Sequence, residues 1–81
     1  MRFSIVMVLK RSERAFERAI ALAGRRGYEL VGASATLSEE GVTLLVRLTL
    51  ESDRKPETLV HQLAKLIEVQ SVRLEPDGAL Q

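Results

Sequence analysis

Five basic side chains lie in and around the first segment with helical spacing of its apolar residues, and they are the residues of this chain best suited to bind or react with a ligand. They are Lys10, Arg11, Arg14, Arg18 and Arg25. Positions 11, 14, 18 and 25 fall on one side of a helix, where guanidinium groups can bind a carboxylate or another anion. Acidic residues at positions 13 and 17 interleave with them and balance their charge. The spacing therefore predicts either an anion site or docking patch, or a solvated helix face.

Residue patterns for catalysis are weak elsewhere in the sequence. His61 is the single histidine, and it shares a polar helix face with Glu57 and Lys65, so no metal-ligand spacing surrounds it. Glu39 and Glu40 are adjacent in a polar turn, whereas general acid–base catalysis needs two carboxyl groups that converge in a cleft. We therefore interpret these residues as solvated surface groups.

Two function classes are disfavoured by the residue types present. A sheet that binds RNA stacks bases on aromatic residues of its central strands. In the two segments predicted below to be central strands, Phe3 is the only aromatic residue. An acylphosphatase-like enzyme pairs an arginine in a phosphate-cradling turn with an asparagine, and this sequence contains no asparagine.

The composition predicts one small globular domain. The chain has 81 residues, 46% of them apolar, and a net charge of +1, which gives no electrostatic reason to expect nucleic acid or an anionic membrane. It has no cysteine, and its apolar run from Ile5 to Leu9 is too short for a signal peptide or a membrane span. We expect a soluble, cytoplasmic domain over residues 1–75, followed by a flexible tail over residues 76–81.

The first half of the sequence predicts a strand, a helix and a second strand. The segment from Phe3 to Leu9 is apolar on both of its alternating faces, which is typical of a strand inside a sheet. Ser12 is the predicted helix N-cap, and Gly27 is placed to end the helix in the left-handed conformation. The second strand is predicted over Tyr28–Leu37.

The second half predicts a hairpin, a helix and a last strand. A polar turn, Ser38-Glu39-Glu40-Gly41, leads into a strand over Val42–Glu51. The inward face of that strand is predicted to hold Val42, Leu44, Val46, Leu48 and Leu50. Pro56 fits the first turn of the second helix, and the last strand is predicted over Val69–Leu74. The apolar face of the second helix is predicted to hold Leu59, Leu63, Leu66 and Ile67.

These elements predict an α+β fold of the ferredoxin-like βαββαβ type. Two right-handed crossovers joined by a hairpin give a four-stranded antiparallel sheet with spatial order 4-1-3-2. Both helices should cover one face of that sheet, and the first and third strands should be central.

Two segments resemble acetolactate synthase small subunits. The stretch Gln62–Val72 (QLAKLIEVQSV) is similar to their Gln-Leu-x-Lys-Leu-(Ile/Val)-(Asp/Glu)-Val-x-x-Val motif. Arg26-Gly27-Tyr28 is similar to their Arg-Gly-(Tyr/Phe) corner. The resemblance extends from about Phe3 to Leu74 and implies an ACT domain, whose fold is the βαββαβ arrangement. Short length and an altered effector site make the chain similar to the isozyme II type.

The resemblance implies a regulatory or activating subunit without catalytic residues, cofactor or metal of its own. Such a subunit binds a catalytic large subunit that uses thiamine diphosphate, Mg²⁺ and FAD to make acetolactate in the biosynthesis of valine, leucine and isoleucine. It also implies an allosteric effector site, built from the first strand–helix turn and the start of a neighbouring chain's second strand. The matching residues are Lys10, Arg11, Ser12, Arg14, Glu29 and Leu30.

The implied effector site departs from the family pattern at three positions. Feedback-sensitive small subunits have Asn-x-x-Gly in the strand–helix turn, where Arg11 and Arg14 stand here. Their glycine lets backbone amides approach the effector carboxylate. Glu29 stands where asparagine is common, and its carboxylate would repel that of the effector. The resemblance therefore implies weak or absent sensitivity to valine.

Two surfaces are predicted to make protein contacts. The second strand is an edge without lysine or proline, which predicts a homodimer with second strands side by side. Its contact residues are predicted to be Val31, Ala33, Ala35 and Leu37. On the face opposite the helices, Val6, Val8 and Leu45 predict an apolar strip that contacts a partner.

Two other functions stay open at the level of sequence. A free-standing ACT module would bind an amino acid or another small ligand, an interpretation that Arg11, Arg14 and Glu29 disfavour. A small ferredoxin-like enzyme would need a convergent polar site, for which the sequence offers no set of residues.

Overall fold

A computed structural model describes residues 1–75 of the chain. Within that range the chain forms six elements in the predicted order. Their bounds are β1 Arg2–Lys10, α1 Ala15–Arg25, β2 Glu29–Leu37, β3 Thr43–Glu51, α2 Pro56–Ala64 and β4 Val69–Leu74. The predicted flexible tail, residues 76–81, lies outside the described residues. Neither α1 nor α2 has the length and apolar character needed to cross a membrane.

The four strands form one antiparallel sheet with spatial order β2-β3-β1-β4. This is the predicted order 4-1-3-2, and the ferredoxin-like fold is confirmed. Ile5 lies opposite Leu48 of β3 and opposite Leu74 of β4, so β1 is paired on both sides. β2 and β4 are the edges.

The core lies between one face of the sheet and the two helices. Alternation along β1 turns Phe3, Ile5, Met7 and Leu9 inward, and all four are buried as predicted. The largest fully buried side chains are Ile5, Met7, Leu9, Val46, Leu48, Leu50, Leu59 and Leu63. Burial of each such side chain contributes about 1.5–3 kcal/mol to stability.

An aromatic contact fixes the corner between α1 and β2. Phe3 and Tyr28 meet edge to face, with ring centroids 6.0 Å apart and planes at 89°. The Tyr28 hydroxyl donates a hydrogen bond of 2.8 Å to the carbonyl oxygen of Lys55, just before α2. Gly27 precedes this corner with a φ of +91°, which confirms it as the residue that ends α1.

The start of α1 differs from the prediction. The helix begins at Ala15, its N-cap is Arg14, and no side chain caps it, so the assignment of Ser12 as N-cap is wrong. Ala15 and Ala19 are buried in the core. Packing of this small-residue face fixes where the helix begins, and it outweighs the local preference of serine for the cap position.

Two apolar residues predicted to face the core are exposed. α2 ends at Ala64, and the chain then turns, with the Val69 N–H donating to the Leu66 carbonyl at 3.1 Å. Helical periodicity has therefore stopped before Ile67, which is 92% exposed. Val42 precedes β3 and is 59% exposed, because the strand begins one residue later than predicted.

One row of β2 belongs to the core face of the sheet but is left uncovered. Ala33, Ala35 and Leu37 lie opposite inward residues of β3, yet all three are exposed. α1 contacts β2 and β1, whereas α2 lies against β4, and neither helix covers this outer row. We call this surface the open edge; it comprises Leu30, Val31, Ala33, Ala35 and Leu37.

A β-bulge interrupts β2 near its start. Leu30 lies opposite Leu50, but the next paired residue is Gly32, opposite Thr49. Val31 is thus an extra residue without a partner in β3, and such bulges bend a strand and increase its twist.

Candidate functional site

The loop between β1 and α1 is held from both sides. The Lys10 N–H donates to the Glu68 carbonyl at 2.7 Å. The Arg11 N–H donates to the Val42 carbonyl at 2.9 Å, and Arg11 Nη1 donates to the Gly41 carbonyl at 3.1 Å. The loop is therefore tied to the corner between α2 and β4 on one side and to the β2–β3 turn on the other.

Arg14 holds a backbone conformation that suits glycine. Its φ of 68° and ψ of 12° lie in the left-handed region, which costs an L-residue with a side chain roughly 1–2 kcal/mol. A glycine would adopt this conformation without strain, so Arg14 combines a glycine-like backbone with a long charged side chain. The Arg14 side chain is exposed and joins none of the ion pairs found within residues 1–75.

A buried carboxylate lies beside this loop. Glu68 is 9% exposed, and its Oε2 is 3.1 Å from Nη1 of Arg18. The same nitrogen donates a hydrogen bond of 3.1 Å to the carbonyl oxygen of Glu13. Because a buried charge is costly unless it is paired, this ion pair favours one position of α1 relative to the corner that precedes β4.

A cavity of about 400 Å³ opens next to the ion pair. Its lining residues are Lys10, Ser12, Glu13, Arg18, Ile67 and Glu68. The predicted effector residues Lys10 and Ser12 are among them, whereas Arg11 and Arg14 are not. Glu68 and Ile67 were not predicted as site residues, because helical periodicity assigned Ile67 to the core and a lone Glu gives no sign of burial.

The other predicted effector residues lie at the opposite end of the sheet. Glu29 begins β2 and lies opposite Glu51, while Leu30 follows opposite Leu50. Glu29 lines a separate cavity of about 450 Å³ with Met1, Gly27, Glu51, Ser52 and Asp53. One chain therefore does not bring Glu29 and Leu30 to the loop. A site that uses all six predicted residues requires a second chain.

The sheet face opposite the helices carries the predicted apolar strip. Val6 and Val8 are half-buried, and Leu45 is 54% exposed. Val8 and Leu45 lie directly opposite each other, so the strip crosses the two central strands. We call this surface the helix-free face.

An ion pair that the sequence did not predict lies on the helix-free face. The Glu75 carboxylate accepts a hydrogen bond from Arg47 through Oε2, whereas its buried Oε1 has no hydrogen-bond partner within residues 1–75. Glu75, Arg47 and Arg73 line a cavity of about 340 Å³ together with the strip residues Val6 and Leu45. Glu75 follows the last strand, where no sequence pattern indicates burial.

The residues considered for catalysis are dispersed. His61 is exposed on α2, and Glu39 and Glu40 are exposed in the β2–β3 turn. Among residues 1–75, no group of three His, Cys, Asp or Glu side chains is arranged to hold a metal ion.

Comparison with known proteins identifies the family to which this fold belongs. The family model of the ACT domain matches residues 11–72, which is most of the chain. No curated protein matches the chain significantly in sequence. The solved structures compared below are each less than 25% identical to the chain, so they show the fold alone.

Three of these structures come from different bacteria. The ACT domain from the GTP pyrophosphokinase of Chlorobium tepidum is 13% identical, with a TM-score of 0.78 over 93% of this chain and 97% of that one. The acetolactate synthase small subunit from Thermotoga maritima is 20% identical, with a TM-score of 0.79 over 98% of this chain and 50% of that one. The C-terminal domain of the MgtC protein from Mycobacterium tuberculosis is 16% identical, with a TM-score of 0.67 over 91% and 84%.

These comparisons agree with the fold described above. The chain spans about half the length of the Thermotoga maritima subunit. The family model covers both helices and most of the sheet. The chain therefore belongs to the ACT domain family, whose members are regulatory rather than catalytic domains.

Proposed function

We propose that this ACT domain is a regulatory subunit of acetolactate synthase that binds a separate catalytic chain. The observation that carries the proposal is the corner after α2. There, within the segment Gln62–Val72 that resembles small subunits of this enzyme, Ile67 is 92% exposed. Ile67 also lines the cavity beside the Arg18–Glu68 ion pair, and burial against a partner would remove its apolar surface from water.

The helix-free face is the second surface proposed to contact the catalytic chain. Val6, Val8 and Leu45 provide an apolar strip on the central strands. Thiamine diphosphate, Mg²⁺ and FAD would be bound by the catalytic chain, which would carry out the condensation. The role of the ACT domain would be to change the activity of that chain by binding to it.

Assembly into a homodimer through the open edge is part of the same proposal. β2 is unpaired on its outer side, and apart from Glu29 at its start its exposed residues are small or apolar. Pairing of two such edges would make an eight-stranded sheet and remove the unpaired backbone groups from water.

Reconstitution with the catalytic subunit from the same organism tests the proposed function. We expect the two chains to co-elute and the rate of acetolactate formation to rise when this chain is added. Ile67→Asp should weaken the association by about tenfold, while His61→Asp, an exposed change on α2, should leave it unchanged. Absence of any association at high concentrations of both chains would contradict the proposal.

A ligand-binding ACT module is the second candidate function. The cavity of about 400 Å³ beside the Arg18–Glu68 ion pair favours it, since its volume lies in the range of small-molecule sites. The measurement is an NMR titration with single amino acids. Saturable shifts at Arg18 and Ile67, without association to the synthase, would favour this function over the first.

A further inference from the structure

Glu29 lies at the start of β2, and Arg11, of opposite charge, contacts the turn that follows the end of this strand. Glu29 is the first residue of the strand, and Leu37, at the other end, leads into the turn where Arg11 is bound. When a strand pairs with its own copy about a twofold axis, the first residue of one copy lies beside the last residue of the other. A second copy placed on the open edge would therefore bring its Glu29 towards this turn.

Arg11 is directed towards the β2–β3 turn. Its side chain leaves the β1–α1 loop and donates from Nη1 to the Gly41 carbonyl at 3.1 Å. Both of its hydrogen-bond acceptors, the Gly41 and Val42 carbonyls, are uncharged. The ion pairs present in residues 1–75 are Arg2–Glu51, Arg18–Glu68 and Arg47–Glu75. Among residues 1–75, no carboxylate therefore lies within ion-pair distance of Arg11, although Glu39 and Glu40 precede Gly41 in the same turn.

Glu29 lies beside a like charge in a single chain. Its opposite residue across the strands is Glu51, and Glu51 is already paired with Arg2 at 2.7 Å. Like charges directly opposite each other destabilise a sheet. Among the described residues Glu29 has no ion pair, so a cation from another chain would relieve an unfavourable local arrangement.

We propose that Glu29 of one copy forms an ion pair with Arg11 of the other at both ends of a twofold β2–β2 contact. This inference rests on the homodimer proposed above and goes further. It names the Glu29 carboxylate of the second copy as the group that binds the Arg11 guanidinium. Lys10 and Arg14 neighbour Arg11 in the loop and strengthen the attraction. Glu39 and Glu40 lie in the β2–β3 turn and oppose it.

The ion pair has a regulatory meaning. The carboxylate that reaches Arg11 is supplied by the second copy of the chain and not by a free small molecule. Dimer formation alone then fills the loop, and a free carboxylate has to compete with Glu29 for it. The fraction of Arg11 that is paired with a carboxylate then depends on the concentration of the chain and not on the concentration of a metabolite.

A charge-swap experiment tests the pair, with dimer dissociation constants measured by analytical ultracentrifugation at low and high salt. Glu29→Arg and Arg11→Glu should each raise the dissociation constant by about tenfold, because the twofold axis repeats each lost contact. The double variant carrying both changes should restore it to within about threefold, and its dimer should keep the salt dependence of the original chain.

Matched controls lie on α2 and directly after it, away from the open edge. Glu57→Arg and Lys65→Glu reverse exposed charges of the same kinds and should leave the dissociation constant unchanged. If a reversal variant loses its circular-dichroism spectrum, Glu29→Gln and Arg11→Gln are measured instead, with about a threefold expected rise each.

The possible results separate the two proposals. If the unaltered chain is a monomer at high micromolar concentration, the homodimer and the ion pair both fail. If it is a dimer whose dissociation constant is insensitive to Glu29 and Arg11, the homodimer stands and the ion pair is overturned. The ion pair is also overturned if the double variant is no tighter than the single ones.

Discussion

At the scale of single residues, Arg14 combines a backbone conformation that suits glycine with an exposed, charged side chain. The left-handed backbone at φ 68° is the conformation that glycine adopts without strain. A side chain at this position is expected to hinder the approach of a ligand to the backbone amides of the first turn. Packing of Ala15 and Ala19 in the core is what keeps the strained residue in place.

Replacing Arg14 by glycine should stabilise the domain. Relief of left-handed strain contributes about 1–2 kcal/mol, and the greater backbone freedom of glycine in the unfolded chain offsets about half of it. We expect a net gain of about 0.5–1 kcal/mol in urea unfolding. Glu17→Gly, on the exposed side of α1, is the control and should lose about 1 kcal/mol. A loss of stability in Arg14→Gly would show that its side chain makes contacts that outweigh the strain.

The same residues predict how the loop responds to valine. We expect the Arg14 side chain to hinder the approach of a carboxylate to the loop amides, and Glu29 of a second copy would repel that carboxylate. We expect isothermal titration calorimetry to show no saturable valine binding at physiological concentrations, with leucine and isoleucine as comparisons. A clear valine isotherm at millimolar or tighter affinity would mean that Arg11 or Arg14 acts as the donor that the backbone no longer supplies.

At the scale of elements, two glycines at the end of α1 have opposite roles. Gly24 lies inside the helix, and a Cβ built there would touch nothing within 4 Å. Gly27 ends the helix with φ +91°, and a Cβ built there would lie 2.7 Å from Nε of Arg54. Arg54 has a flexible side chain that can move away, so the backbone conformation decides the cost at position 27.

Alanine substitutions separate these roles. Gly24→Ala should stabilise the domain by about 0.5–1 kcal/mol, because alanine is the better helix former. Gly27→Ala should destabilise it by about 1–2 kcal/mol, since the left-handed conformation is strained for any residue with a Cβ. Chemical denaturation of both variants is the measurement. Equal effects of the two changes would contradict the assignment of Gly27 as the residue that ends α1.

The helix-free face gives the element-scale prediction for partner binding. Leu45→Asp places a charge in the centre of the apolar strip, and it should weaken binding to the catalytic chain by about tenfold or more. Leu45 is 54% exposed, so the free energy of unfolding should change by only about 0.5 kcal/mol. Val42→Asp, at a valine that is 59% exposed outside the strip, is the matched control. Equal binding by both variants would exclude the helix-free face from the interface.

At the scale of the whole molecule, small size and the open edge act together. A domain of 81 residues buries a modest share of its surface and is marginally stable alone. Association that removes the open edge from water would then contribute a large part of the total stability. The stability of the domain and its state of assembly become a single equilibrium.

This coupling predicts a melting temperature that depends on protein concentration. We expect the midpoint of thermal unfolding to rise by about 3 °C for each tenfold increase in concentration. Val31→Lys places a charge on the open edge, which is a common way to prevent strand pairing. The midpoint of that variant should be independent of concentration. A constant midpoint in the unaltered chain would argue against association through β2.

The sequence predicted the fold well and the site only in part, for a physical reason. Alternation and helical spacing report local burial, so β1, β3 and the strand order follow from residues such as Ile5 and Leu48. Ile67 departed from expectation because the chain turns at the end of α2, which depends on how α2 meets β4. The burial of Glu68 and of Glu75 is set by contacts with Arg18 and Arg47, which are distant in sequence. No local pattern encodes those contacts.

The bulge in β2 has an evolutionary consequence. Deletion of Val31 would join Leu30 to Gly32, whose partners Leu50 and Thr49 are already consecutive, and the ladder would become regular. Neighbouring side chains of a strand point to opposite faces of the sheet. Deletion of a residue between Ala33 and Leu37 would therefore move part of the strand's side chains from one face to the other. Position 31 is therefore the place in this sheet where the gain or loss of one residue does least harm. Closely related sequences of unequal length are expected to differ there.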